Sequence, residues 1–137
     1  CRYLAAKHGR KDLYPDDITT RATIEAWMDW AATDFYNGIR PVVHGLVFKT
    51  PGFDQKSIET GIKEWTVQMQ RLDAALAAQG PYLMGDAFTL ADIPAGLAVN
   101  RWYAIDFPKP AFKAVAAYYD LLAERPGFRA HGRNGTP

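Results

Sequence analysis

One cysteine in 137 residues, at position 1, excludes an internal disulfide and the stapled scaffolds of small secreted domains. Histidine is nearly as scarce. His8, His44 and His131 stand far apart, with no His-x-x-x-His or Cys/His ligand spacing, so no metal site is expected. An excess of charge of either sign is also missing: 16 Lys and Arg balance 15 Asp and Glu, and the net charge of +1 argues against a dedicated nucleic-acid binder. No apolar run approaches the roughly 18 residues of a membrane span, and no apolar segment of a secretory signal opens the chain. Gly-x-Ser-x-Gly, P-loop and Gly-x-Gly-x-x-Gly patterns are absent as well, so no catalytic residue is expected within the chain. These absences point to a cytoplasmic protein with neither nucleic acid nor membrane as partner.

What is present is 48% hydrophobic sequence arranged at helical spacing. The first nine residues, Cys1 to Gly9, read as the last turns of a helix closed by Gly9, with no start, so the chain is expected to be a piece of a longer protein. A polar connector follows over 10–19, broken by Pro15. From residue 20, Ile24, Trp27, Met28, Ala31, Phe35, Ile39, Val42, Val43 and Leu46 recur at three- and four-residue steps. They predict one helix over 20–47, kinked near 37–41 by Asn37, Gly38 and Pro41. Ile58, Ile62, Trp65, Met69, Leu72 and Leu76 predict a second helix over 54–79, ended by Gly80 and Pro81. A third is predicted over 90–104 and a fourth over 110–124, the latter striped by Phe112, Val115, Tyr119 and Leu122. No strand pattern of useful length occurs, and the Gly-rich residues 129–137 read as a flexible tail. The expected fold is therefore all-α, a bundle of four main helices, with Trp65, Met69 and Leu72 facing Leu97 and Trp102.

The most specific local signal is Tyr82-Leu83-Met84-Gly85-Asp86-Ala87-Phe88-Thr89-Leu90-Ala91-Asp92-Ile93. Thr89 and Asp92 form a Thr-x-x-Asp capping box, in which each side chain can accept from the other residue's amide. Phe88 and Ile93 are placed to make a hydrophobic staple across it. This string resembles the (F/Y)-L-x-G-x-x-(F/L/P)-(S/T)-x-A-D-x segment of the glutathione transferase family, which leads into the buried core helix of the family's all-helical C-terminal domain. Leu13-Tyr14-Pro15 resembles the family's interdomain linker, Trp27-Met28-Asp29-Trp30 its first long helix, and Leu122 to Phe128 its closing Arg-Pro-x-Phe segment. Asn100-Arg101-Trp102-Tyr103 is similar to theta-like and related bacterial members.

The resemblance implies a division of the chain. Residues 1–9 would be the stub of the last helix of a missing thioredoxin-like domain, 10–19 the interdomain linker, 20–128 the helical domain and 129–137 the tail. In the family the missing domain holds the co-substrate glutathione and supplies the activating Ser, Tyr or Cys. The parent protein is then expected to be a homodimeric enzyme that joins glutathione to small hydrophobic electrophiles, while this piece alone binds no glutathione and is inactive. The helical domain would line the electrophile pocket through Trp30, Thr33, Asp34, Asn37 and Arg40, which lie at three- and four-residue spacing and so share one broad face. The alternative is a non-catalytic module of the same family used for protein association.

Overall fold

The computed structural model describes residues 1–137. Seven α-helices are present: α1 (Arg2–Lys7), α2 (Ile18–Ala32), α3 (Asp34–Val42), α4 (Gln55–Gln79), α5 (Asp92–Ala104), α6 (Lys113–Leu122) and α7 (Pro126–His131), with a π-helical turn over Val43–Val47. The four main helices expected from periodicity are there, and the first of them is divided. The break falls at Thr33 rather than at 37–41. Thr33 has φ −117° and ψ −87°, and its hydroxyl donates to the Asp29 carbonyl at 2.8 Å, a local bond that competes with helix continuation. Pro41 sits inside α3 without ending it. The chain then widens into the π turn, closed by a Phe48 N–H to Val43 carbonyl bond at 3.1 Å.

Gly38 and Gly61 explain why α3 and α4 form the most extensive helix pair. A Cβ on Gly38 would lie 2.6 Å from the Trp65 backbone nitrogen, and one on Gly61 would lie 2.5 Å from Cγ of Pro41. Only glycine permits that approach. Helix α4 starts on Asp54, whose carboxylate accepts from Ser57 N–H at 2.8 Å, and α6 packs along its other flank. Helix α5 is central: Asp92, Ala95, Gly96, Ala98, Val99, Asn100 and Trp102 are all buried. Trp102 meets Trp65 edge to face, with ring centroids 5.1 Å apart, as the sequence suggested. Leu97 lines a cleft with Leu122 and Phe128.

Two ends are held by side chains from elsewhere. Asp73 of α4 accepts from the backbone N–H groups of Ala114 and Val115 at 2.8 and 3.0 Å, capping α6 from a neighbouring helix. Lys109 donates to the carbonyls of Trp102 and Ile105 at 2.5 Å each, closing the C-terminal end of α5. The helix at Pro126–His131 was not legible in the sequence and carries regular structure past residue 128.

Candidate functional site

The best-determined polar centre lies where α5 begins. Asp92 is 1% exposed; Oδ1 accepts from Leu83 N–H at 3.0 Å and from the Tyr118 hydroxyl at 3.2 Å, and Oδ2 accepts from Thr89 N–H at 2.8 Å. The capping box is thus half made. Thr89 Oγ1 takes the Ala91 N–H at 3.3 Å rather than that of Asp92, because the helix starts at Asp92 and not at Leu90. That later start places Pro94 in the first turn, where no N–H is needed. A carboxylate that accepts helix-terminal N–H groups is ordinarily stabilised in its charged form. Here burial pushes the Asp92 carboxyl above the usual range, outweighing the bonds from Thr89, Leu83 and Tyr118. The same burial, with the Asp92 carboxylate beside it, pushes the Tyr118 phenol well up. Every polar atom at this centre is engaged in holding the loop 82–89 on α5 and α6. It is a structural site.

Phe88 and Ile93 line a cleft of about 680 Å³ with Tyr82, Leu97, Leu122 and Phe128. The Arg125 guanidinium lies 3.6 Å from the Phe88 ring centroid. A second cleft, about 300 Å³, shares Ile93 and adds Leu4, Ala5, Leu13 and Leu90. There the connector is tied to the α5 entry by Leu90 N–H on the Leu13 carbonyl at 3.0 Å.

The five residues placed on one face by spacing occupy different surroundings, because the break at Thr33 interrupts the face. Trp30 is buried, stacked on Phe35 at 4.6 Å, and its indole N–H donates to Gln68 Oε1 of α4 at 2.9 Å. Thr33 is the hinge itself. Asp34 is exposed, with its carboxylate 4.0 Å from Arg71 of α4. Asn37 and Arg40 come together, lining a polar cleft of about 480 Å³ with Lys56 and Glu64 of α4 and with Phe53. Tyr36, beside them on α3, is an exposed phenol. The one imidazole–hydroxyl contact is His44 Nδ1 to Thr50 Oγ1 at 3.1 Å. His44 also stacks on Phe53 at 4.8 Å, which ties the π turn to the loop before α4. No carboxylate orients that imidazole, so the pair lacks the third member of a nucleophilic triad. No group of three or more His, Cys, Asp or Glu is placed to hold a metal ion. The arrangement offers walls, aromatic faces and hydrogen-bond donors.

A broken helix hairpin crossed at glycines, a central buried helix and a carboxylate locking its entry define an all-helical domain of the glutathione-transferase type. The chain belongs to the glutathione S-transferase C-terminal domain family, whose model matches residues 35–126. It is 34% identical over 129 residues to glutathione S-transferase GstB of Escherichia coli K12, covering 93% of this chain and 62% of the relative. To glutathione S-transferase 3 of Zea mays it is 28% identical over 136 residues, covering 93% of this chain and 60% of the relative. The chain thus spans about three-fifths of the length of these curated relatives. Among solved structures, the theta class glutathione S-transferase of Xanthomonas axonopodis pv. citri with glutathione bound superimposes with a TM-score of 0.85 at 34% identity, over 94% of this chain and 67% of that one. A delta-class glutathione transferase of Nilaparvata lugens reaches a TM-score of 0.82 at 21% identity over 98% of this chain and 62% of that one, a likeness of fold. No helix of the chain is long and apolar enough to cross a membrane.

Proposed function

We propose that this chain is the helical half of a glutathione transferase whose other domain, thioredoxin-like, binds glutathione as co-substrate and activates its thiol. The carrying observation is the 34% identity to a glutathione S-transferase across 129 residues. The thiolate sulfur attacks an electrophilic carbon, a C–S bond forms, and the leaving group departs with its bonding pair. Residues of this chain contribute by holding a small hydrophobic electrophile near the sulfur, which is catalysis by proximity and exclusion of water. The face we assign to that task is the exposed side of the α2–α3 joint, with Thr33, Asp34, Asn37 and Arg40 at its surface and Trp30 packed beneath. The working protein is a homodimer in the cytoplasm, residues 1–9 end the last helix of the thioredoxin-like domain, and residues 10–19 link it to the helical domain.

The test uses the whole protein, with the sequence that precedes these residues, and an aryl chloride as electrophile. Asn37→Ala and Arg40→Ala are expected to raise KM for the electrophile several-fold while KM for glutathione stays unchanged. Unaltered kinetics in both variants would remove this face from the pocket. Absence of any conjugation by the intact protein would favour a module used for protein association.

A further inference from the structure

The segment that follows α7 lies over a groove between α5 and α6, and a cavity of about 440 Å³ remains between Asn100, Tyr103, Ala104, Ala116, Tyr119 and Asp120 of the helices and Arg133 and Gly135 of the segment. Three contacts seat it there. Asn100 Nδ2 donates to the Thr136 carbonyl at 2.8 Å, Arg133 Nη1 donates to Asp120 Oδ1 at 2.7 Å, and the Arg133 guanidinium lies 4.4 Å from the Tyr119 ring centroid.

The floor of the groove is organised by bonds that owe nothing to the segment. The Tyr119 hydroxyl donates to Asn100 Oδ1 at 2.9 Å. This fixes the side-chain amide so that its NH₂ is the end offered to an incoming carbonyl. Tyr103 stacks on Tyr119 at 4.6 Å with an interplanar angle of 21°, giving a rigid aromatic wall. Asn100 and Tyr119 are both buried, while the Asp120 carboxylate stands at the rim, 72% exposed. The segment is shaped for the seat by its own turn: Asn134 Oδ1 accepts from Thr136 N–H at 3.1 Å and from the Thr136 hydroxyl at 2.7 Å, which presents the Thr136 carbonyl.

The groove therefore reads two features: a guanidinium, taken between the Tyr119 ring and the Asp120 carboxylate, and a main-chain carbonyl three residues further on. Neither is peculiar to this segment. We propose that the α5–α6 groove is a recognition site for an arginine-bearing turn of another protein chain, kept closed in cis by residues 133–136. A carboxylate and aromatic face for the guanidinium and an amide donor for a backbone carbonyl are the chemistry by which peptide sites select such ligands. An exposed ion pair and a single amide bond hold weakly. The cis segment therefore closes the groove through its high effective concentration, and an external segment competes once a cis contact is lost.

The test uses the full chain and a fluorescent peptide of sequence Gly-Arg-Asn-Gly-Thr-Pro, identical to residues 132–137, read by anisotropy. Arg133→Ala, which loosens the segment and leaves the groove intact, is expected to bind the peptide at least about tenfold more tightly than the unaltered chain. Asn134→Gly, which removes the turn and keeps Arg133, should do the same, so a failure of one variant to fold does not decide the matter. Adding Asp120→Lys to either should abolish the gain, as should alanine in place of the peptide's arginine. Equal binding by the unaltered and loosened chains, absence of binding to both loosened variants, or indifference to Asp120→Lys would overturn the proposal.

Discussion

Asp92 shows how one side chain can join three segments. Its carboxylate takes the N–H of Leu83, the N–H of Thr89 and the hydroxyl of Tyr118, all in a buried setting. Asp92→Ala would strand all three donors, and each unsatisfied buried donor costs about 1–3 kcal/mol. Partial solvation of the loosened loop will recover part of that, so a loss of about 3–5 kcal/mol is expected in urea unfolding, large for a chain of this size. Asp92→Asn keeps the shape and one acceptor, and about 2 kcal/mol is expected. The pH dependence separates these two variants from a generic destabilisation. Burial raises the folded-state value of Asp92 above its unfolded one. Its titration therefore stabilises most fully below the unfolded value near 4, and that contribution is lost as pH rises through the folded value. The stability gap between the native chain and Asp92→Asn should widen as pH is lowered from 7 to 4. A gap that narrows would mean that the hydrogen bonds, rather than burial, govern the charge on Asp92. The surface carboxylates run the other way: Asp17 and Asp54, lowered by bonds from Thr20 and Ser57, stabilise above the unfolded value and lose that effect on acidification.

Among the elements, the contrast between α4 and the α2–α3 pair shows what periodicity carries. Helix α4 was legible almost to the residue: its four-then-three stripe of Ile58, Trp65, Met69, Leu72 and Leu76 is buried, and Asp54 caps its start. The α2–α3 break was invisible because Ile24, Ala31, Phe35, Ile39 and Val42 keep one helical phase through Thr33. Nothing in spacing reports a threonine hydroxyl bonded to a carbonyl four residues back. The same blindness scattered the candidate site. Trp30 was set on an outer face by spacing, and its stacking on Phe35 and bond to Gln68 draw it into the core. The caps supplied by Asp73 and Lys109 come from residues distant in sequence or beyond the helix end, so no local signature announces them. Asp73→Ala is expected to cost about 1–2 kcal/mol, as for a lost N-cap, and to speed amide exchange at Ala114 and Val115 specifically. Uniform acceleration along α6 would argue against a capping role. Gly38 looked from sequence like a weak point of a helix, whereas the structure makes it the place where α3 and α4 touch backbone to backbone. Gly38→Ala should therefore destabilise by about 2–4 kcal/mol despite alanine's better helix propensity, because the overlap is with main chain that cannot rotate away. Gly127→Ala is the control: a Cβ there meets nothing within 4 Å, and a change of less than about 1 kcal/mol is expected in the same thermal melts.

At the scale of the whole molecule, the core and the surface differ in how complete they are. Twenty-five buried residues form one continuous apolar cluster reaching from Ala5 to Leu122, yet Tyr3, Leu4 and Ile18 remain 71%, 57% and 80% exposed on α1 and at the start of α2. Leu4 lines the smaller of the two clefts that share Ile93. If two copies of the isolated chain buried about 400 Å² of apolar surface between them, the gross gain would be about 10 kcal/mol. Association costs about 4–15 kcal/mol in lost freedom. The balance runs from about 6 kcal/mol in favour of association to about 5 kcal/mol against it, so the isolated chain should associate weakly and reversibly rather than form a stable dimer. Sedimentation velocity over about two decades of concentration, from micromolar upward, should show a rising sedimentation coefficient. Leu4→Lys with Ile18→Lys should flatten it by placing charge in the patch. Association that persists undiminished in the double variant would assign it to another face, with the α3 surface around Tyr36 next to be altered.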